Sequence, residues 1–320
     1  MNVGASRPSV RHIYQNHHLD TTRWNDFKPR KDDIVISTSY KAGTTLTQTI
    51  VANLLFPDGN LPAPVTVFMP WLDMRVRPLE EAKAMLEAQT HRRCIKTHLA
   101  LDGLPFHDEI KYVVVGRDPR DVFMSLVNHY GEHTPGFIEL LNSPGRVGDP
   151  FPVYDGDIHK LWHNWITRGW FDWEQDGYPY WSHLHHAKTW WEFKHLPNIC
   201  FVHYNDLRRD LEGEMRKLAR WLEISVQEER WPAVVEACRF ETVKAHPEKV
   251  MPDMVKMAFK DGAETFFFKG TNGRWKDVLT NDELALYRQA MKERLPADCA
   301  RWLEEGGPVA QPEAGSRGPK

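Results

Sequence analysis

Four short apolar runs divide the chain: Ile34-Val35-Ile36, Cys94-Ile95, Tyr112 to Val115 and Ile199 to Val202. They read as short buried strands, and the stretches between them carry helical patterns, such as Leu46 to Leu55 and Trp181 to Phe193. This alternation predicts a mostly parallel central sheet flanked by helices on both faces, an α/β fold. Ligands in such sheets bind at the carboxyl ends of the strands. The chemistry is therefore expected just after each run.

After the first run comes Ser37-Thr38-Ser39-Tyr40-Lys41-Ala42-Gly43-Thr44-Thr45, a tight loop leading into the helical pattern. Such a turn aims backbone N–H groups and a positive helix end at one spot, beside Lys41 and several hydroxyls, which suits a phosphate. After the second run comes Lys96-Thr97-His98-Leu99. Side chains alternate along extended chain, so Lys96 and His98 share one face. After the third comes Gly116-Arg117-Asp118-Pro119-Arg120-Asp121-Val122. Asp118 suits an N-cap, Pro119 the first helical position and Asp121 the first turn, leaving Arg117 at the strand tip and Ser125 on the helix behind it. Near the C-terminus, Phe266 to Lys276 combines a glycine loop with three cations. Thr280-Asn281-Asp282-Glu283 then has capping-box spacing and should open a helix reaching Arg294.

A chain of 320 residues with 41% hydrophobic residues can bury a large core. We expect one domain over 31–302, an N-terminal segment over 1–30 and a disordered Gly/Pro-rich tail over 303–320. A formal net charge of −3 without a basic block argues against nucleic acid or an anionic membrane surface as the main partner. Residues 1–16 hold no apolar signal-like core, and no run reaches the length of a membrane span, so a soluble, cytoplasmic chain is expected. Cys94, Cys200, Cys238 and Cys299 form no CxxC pair and read as buried small hydrophobes. His183, His185 and His186 invite a metal reading, but no carboxylate or cysteine spacing accompanies them, and a Trp-rich helix explains them better. His17-His18 reads as an exposed pair, and Arg208 to Glu212 as a solvated helix face.

Taken in order, the four polar segments resemble the signatures of the cytosolic sulfotransferases. These enzymes move a sulfuryl group from 3′-phosphoadenosine-5′-phosphosulfate (PAPS) to an acceptor. The signature Y-P-K-S-G-T-T-W is similar to Ser39 to Leu46, K-T-H-L is Lys96 to Leu99, R-x-P-[KR]-D-V-x-x-S is Arg117 to Ser125, and R-K-G-x-x-G-x-W-K is similar to Phe268 to Lys276. The resemblance implies a single α/β domain with a P-loop-like phosphosulfate-binding loop. It implies that Lys41 stabilises charge on the leaving oxygen, while Ala42, Gly43, Thr44, Thr45 and Leu46 form the 5′-phosphate loop. By the same resemblance His98 is the base for the acceptor hydroxyl, and Lys96 supports the transferring group. Arg117, Ser125, Phe268, Lys269 and Gly270 occupy the 3′-phosphate positions, and Tyr204 and Phe240 the nucleoside positions. No metal is called for.

Two departures bear on nucleotide binding. Leu46 replaces a tryptophan and Phe268 an arginine, and Arg120, Arg239 or Arg274 is a candidate replacement cation. The family's dimer segment is not matched after Lys276 and Thr280, so any homodimer should use a surface other than 276–285. Residues 62–71 and 131–157 lie where the family builds its acceptor pocket and lid. Phe68, Met69, Trp71, Phe151 and Tyr154 are candidates to line a slot for a flat or lipophilic alcohol or phenol. Two other function classes stand beside this one. A P-loop phosphoryl transferase places its lysine immediately before Ser or Thr, whereas Lys41 precedes Ala42-Gly43. A non-catalytic nucleotide binder has no use for a proton acceptor such as His98.

Overall fold

The computed structural model describes residues 7–251, 255–262, 266–267 and 270–309, so Phe268 and Lys269 lie outside the described residues. All four apolar runs are strands: β1 Ile34–Thr38, β2 Cys94–Thr97, β3 Lys111–Gly116 and β4 Ile199–His203. They form one parallel sheet in the order β2-β1-β3-β4. Side-chain alternation divides the core in two. Val35, Tyr112 and Val114 point to one face, where they join Trp162, Trp165 and Trp190. Ile34, Ile36 and Val113 point to the other, against Ile50, Val51, Leu54 and Leu218. Because both faces are covered, the strands read as continuous apolar runs.

Strand order reverses at the centre: the chain leaves β1 for β2 on one side, then returns to place β3 on the other. The crevice at such a reversal is where loops diverge and leave room for a ligand. Helix Thr44–Leu55 follows β1 and helix Pro119–Gly131 follows β3, so both helices begin at that crevice. The Asp118 side chain accepts from the Arg120 N–H, with Pro119 in the first turn. The capping box at Thr280 and Glu283 is present and opens helix Asn281–Arg294. The Trp-rich pattern is helix His183–Trp191. Cys94, Cys238 and Cys299 are buried free thiols, and Cys200 is part-buried. No helix of the described residues is long and apolar enough to cross a membrane.

Three expectations need correction. His17 and His18 are fully buried rather than exposed. The N-terminal segment is anchored by polar bonds that leave no hydrophobic period: the Arg23 guanidinium donates to the carbonyls of Met74, Arg75 and Arg77. Tyr14 likewise donates to Asp102 at 2.8 Å. Arg208 to Glu212 is not one helix face, because the chain breaks at Asp210, which caps helix Leu211–Leu222. Residues 303–305, which composition assigns to the tail, continue a helix, and Gly306 and Gly307 after it are part-buried. Leu303 is buried within helix Ala297–Glu305, and the Gly307 N–H donates to Asp206 at 2.7 Å.

Candidate active site

The loop between β1 and helix Thr44–Leu55 turns through two left-handed residues, Lys41 at φ 65° and Gly43 at φ 119°. At Gly43 the backbone and its surroundings agree: a Cβ there would stand 3.0 Å from the Tyr204 ring, so only glycine fits. The helix that follows has no side-chain N-cap. Its first-turn N–H groups and positive dipole end are left for an anion.

Three cations converge on this loop. Arg117, 6% exposed at the end of β3, lies over the Tyr204 ring at 4.1 Å. It donates to the Lys41 carbonyl at 3.2 Å and to Asn272 Oδ1 at 2.8 Å. Its buried Nε has no hydrogen-bond partner among the described residues. Lys96 Nζ sits 4.4 Å above the Trp71 ring, and Lys41 Nζ 4.7 Å from the Phe266 ring centre. Lys41 Nζ also lies 3.2 Å from His129 Nδ1. Among the described residues neither lysine forms a salt bridge. Burial first, then the charges of Arg117 and Lys96, lowers the Lys41 pKa to about 7. Burial lowers Lys96 to about 8, against the pull of Asp73. Positive charge gathered at a loop of free N–H groups, with Asp73 acting on Lys96 and Asp118 and Asp121 on Arg117, suits an anionic ligand.

His98 follows β2 and is 2% exposed. Its Nδ1 lies 2.8 Å from the Thr38 carbonyl oxygen. A carbonyl can only accept, so Nδ1 carries the proton and Nε2 keeps a lone pair. Burial, then the charge of Lys96, holds this imidazole's pKa well below the ordinary value. His98 and Lys96 share the Trp71 indole, which His98 meets edge-on at 4.6 Å. The common face expected from strand alternation is thus present.

One cavity of about 370 Å³ joins these groups. Lys41, Gly43, Thr44, Thr45 and Leu46 line it from the loop, Lys96 and His98 from β2, and Arg117 and Ser125 from β3 and its helix. Tyr204, Phe240 and Gly270 close the far end, where a Cβ on Gly270 would meet the Phe240 ring at 2.9 Å. Ala42 is buried and does not line the cavity.

Of the replacement cations, Arg239 and Arg274 line the cavity and Arg120 does not. Arg120 is held by two bonds to Asp118, at 2.9 and 2.7 Å, and lies over the rings of Trp275 and Tyr287. Of the acceptor-slot candidates, only Trp71 lines the cavity. Phe68, Met69 and Phe151 are core residues, and Tyr154 stacks on Tyr130. The apolar wall comes instead from Phe137, Phe259 and Phe266. Polar lining residues that escaped the sequence reading include Asn128, Glu241, His129 and Arg208. His129 lies one turn after Ser125 and Arg208 one turn after Tyr204, so an i to i+4 count along each helix would have found both. The histidine cluster is explained by hydrogen bonds: His183 to Ser39 and the Arg117 carbonyl, His185 to Asp102 and His186 to Ser37.

A family model described as a sulfotransferase domain matches residues 31–298. A glycolipid sulfotransferase of Mycobacterium tuberculosis is 31% identical over 311 residues, 92% of this chain and 94% of that protein. The human sulfotransferase 1C2 is 27% identical over 83% of this chain and 85% of its own length. Among solved structures, mouse sulfotransferase SULT7A1 complexed with PAP shares the fold with a TM-score of 0.65 at 20% identity, covering 88% of this chain and 92% of that one. Retinol dehydratase in complex with androsterone and PAP does so with a TM-score of 0.65 at 23% identity, over 86% and 84%.

Proposed function

The chain belongs to the sulfotransferase family, and from that premise we propose that it transfers a sulfuryl group from PAPS to a hydroxyl or amine of a small aromatic or lipophilic acceptor. The observation that carries this reading is the meeting, in one cavity, of the three cations Lys41, Lys96 and Arg117 with a neutral imidazole whose Nε2 keeps its lone pair. The cations match a polyanionic donor. The imidazole matches an acceptor that must lose a proton.

In the proposed reaction His98 Nε2 takes the acceptor's proton as the acceptor oxygen bonds to sulfur. The bond from sulfur to the bridging oxygen breaks, and its electron pair stays on the 5′-phosphate. Lys41 and the first-turn N–H groups of helix Thr44–Leu55 stabilise that new charge. Lys96, on the His98 side, steadies the sulfuryl oxygens. Arg117 and Ser125 hold the 3′-phosphate, and the buried, unpaired Nε of Arg117 supports that role. Tyr204 and Phe240 face the nucleoside. Leu46 lines the cavity where the family carries tryptophan, so adenine stacking here rests on other rings.

The apolar wall of Trp71, Phe137 and Phe259 favours an acceptor with a flat or greasy body. A glycolipid, named for the mycobacterial relative, falls in that class. The test is incubation with radiolabelled PAPS and a panel containing a phenol, a sterol and a glycolipid. Label should pass to at least one acceptor, and PAP should stabilise the protein against heat more than magnesium-ATP does. Stabilisation by magnesium-ATP alone, with no labelled product, would remove the reading.

A further inference from the structure

Behind Lys41 lies a line of buried polar side chains that the reaction above does not use. Lys41 Nζ lies 3.2 Å from His129 Nδ1. The other nitrogen of that imidazole, Nε2, meets the Tyr40 hydroxyl. Tyr40 stacks on Tyr180 at 4.5 Å, and the Tyr180 hydroxyl lies 2.9 Å from His133 Nε2. An ammonium can only donate. Against a charged Lys41, His129 Nδ1 is therefore the acceptor, and the imidazole proton sits on Nε2, where the Tyr40 oxygen receives it.

His129 is 7% exposed, on helix Pro119–Gly131 one turn beyond Ser125. Phe259 packs on its ring at 4.5 Å, and Phe266 meets both that ring and Lys41. The lysine is thus held at two points, a nitrogen lone pair and a ring face. The choice of partner has a physical reason. A carboxylate there would cancel the charge of Lys41 and repel an anionic donor, whereas a neutral imidazole supports the ammonium and adds no negative charge.

We propose that His129 is a positioning residue for sulfuryl transfer: its Nδ1, kept as an acceptor by the Tyr40 hydroxyl, holds the Lys41 ammonium charged and in place beside the phosphate loop. This rests on the reading of Lys41 as the group that stabilises the leaving phosphate. Lys41 is faced by Arg117 from the end of β3 and Lys96 from the end of β2, which act against its charge. His129 is backed by His133 and His18 and is itself held neutral, chiefly by burial. Among these groups His129 is the one within hydrogen-bond distance of the Lys41 ammonium.

The experiment follows the Lys41 titration by NMR of carbon-13-labelled lysine in the full chain, with the resonance assigned by its loss in Lys41→Arg. Two variants separate acceptor from ring. His129→Phe keeps a ring without an acceptor, and His129→Asn places an amide oxygen at the Nδ1 branch. The Lys41 midpoint should fall by about one pH unit in His129→Phe and stay near the wild-type value in His129→Asn. Turnover should follow the same order, with the acceptor KM unchanged. Should His129→Phe not fold, Tyr40→Phe replaces it, with a smaller fall in the same direction. An unmoved midpoint in the folded acceptor-free variant, or an equal fall in His129→Asn, overturns the proposal. If no form of the protein transfers label to any acceptor, the functional reading has failed, while the titration still decides the coupling of Lys41 to His129.

Discussion

Raising the pH from about 7 to about 9 should loosen PAP and, over the same range, stabilise the ligand-free protein. The first effect follows from the cation cluster: Lys41 titrates at about 7 and Lys96 at about 8, both lowered mainly by burial. If PAP binds the form in which both are charged, that form shrinks from roughly half of the molecules near pH 7 to about one in a thousand near pH 9. Affinity should fall on the order of a few hundredfold, or about 3–4 kcal/mol. The ligand's own phosphate ionisation, with a second pKa of about 6, is nearly complete in this range and cannot produce the loss. The second effect has the opposite sign. Both lysines hold fewer protons when folded than when unfolded between these values and their ordinary 10.5, so their share of stability rises with pH across that window. Isothermal titration with PAP at four pH values, repeated in buffers of different ionisation enthalpy, measures the affinity and the proton uptake. Thermal melts without ligand measure the stability. A PAP affinity constant within threefold from pH 7 to 9, with no proton uptake, would refute the reasoning.

The remaining predictions concern single groups. Replacing His98 with Asn should lower turnover by about 10²–10⁴-fold while PAP affinity changes little, as measured by single-turnover kinetics and calorimetry; equal losses in both would place His98 in binding instead. Arg117→Ala should weaken PAP about 10–100-fold, whereas Arg120→Ala, whose guanidinium is spent on Asp118, should leave PAP affinity nearly unchanged. Comparable losses in the two would contradict the placement of Arg120 outside the cavity. His17, His133 and His186 are held neutral by burial with pKa values lowered to about 3, 3 and 3. Their stabilising share is complete above the ordinary 6.5 and is lost as pH falls from 6.5 toward 3, so thermal melts should drop across that range, and a flat profile would count against their burial.

The sheet was legible because each strand is buried on both faces and so leaves an uninterrupted apolar run, and helix starts were legible because Asp118 and Thr280 carry their caps in sequence. Lys41, Lys96, His98 and Arg117 were legible for the same reason, since each lies at or just after the end of β1, β2 or β3 and all four line one cavity. Contacts made by helix periodicity across the cavity were harder to see. His129 and Arg208 reach it only because Ser125 and Tyr204 do, one turn earlier. The apolar wall of the cavity was misassigned because an aromatic in the stretch 131–157 looks the same in sequence whether it enters the core, as the loop residue Phe151 does, or faces the cavity from a short helix, as Phe137 does. The buried N-terminal histidines were missed because polar bonds to carbonyls, not apolar spacing, hold that segment down.

On this reading the cavity moves a sulfuryl group, and does so through Lys41 and His98. A single-turnover reaction tests it most directly, with enzyme in excess over radiolabelled PAPS and an acceptor chosen from the panel. Labelled product and PAP should form in equal amounts with the wild type, and the rate should fall at least about a hundredfold in both Lys41→Met and His98→Asn. Label released only as free sulfate, or transfer at the wild-type rate in both variants, would contradict it.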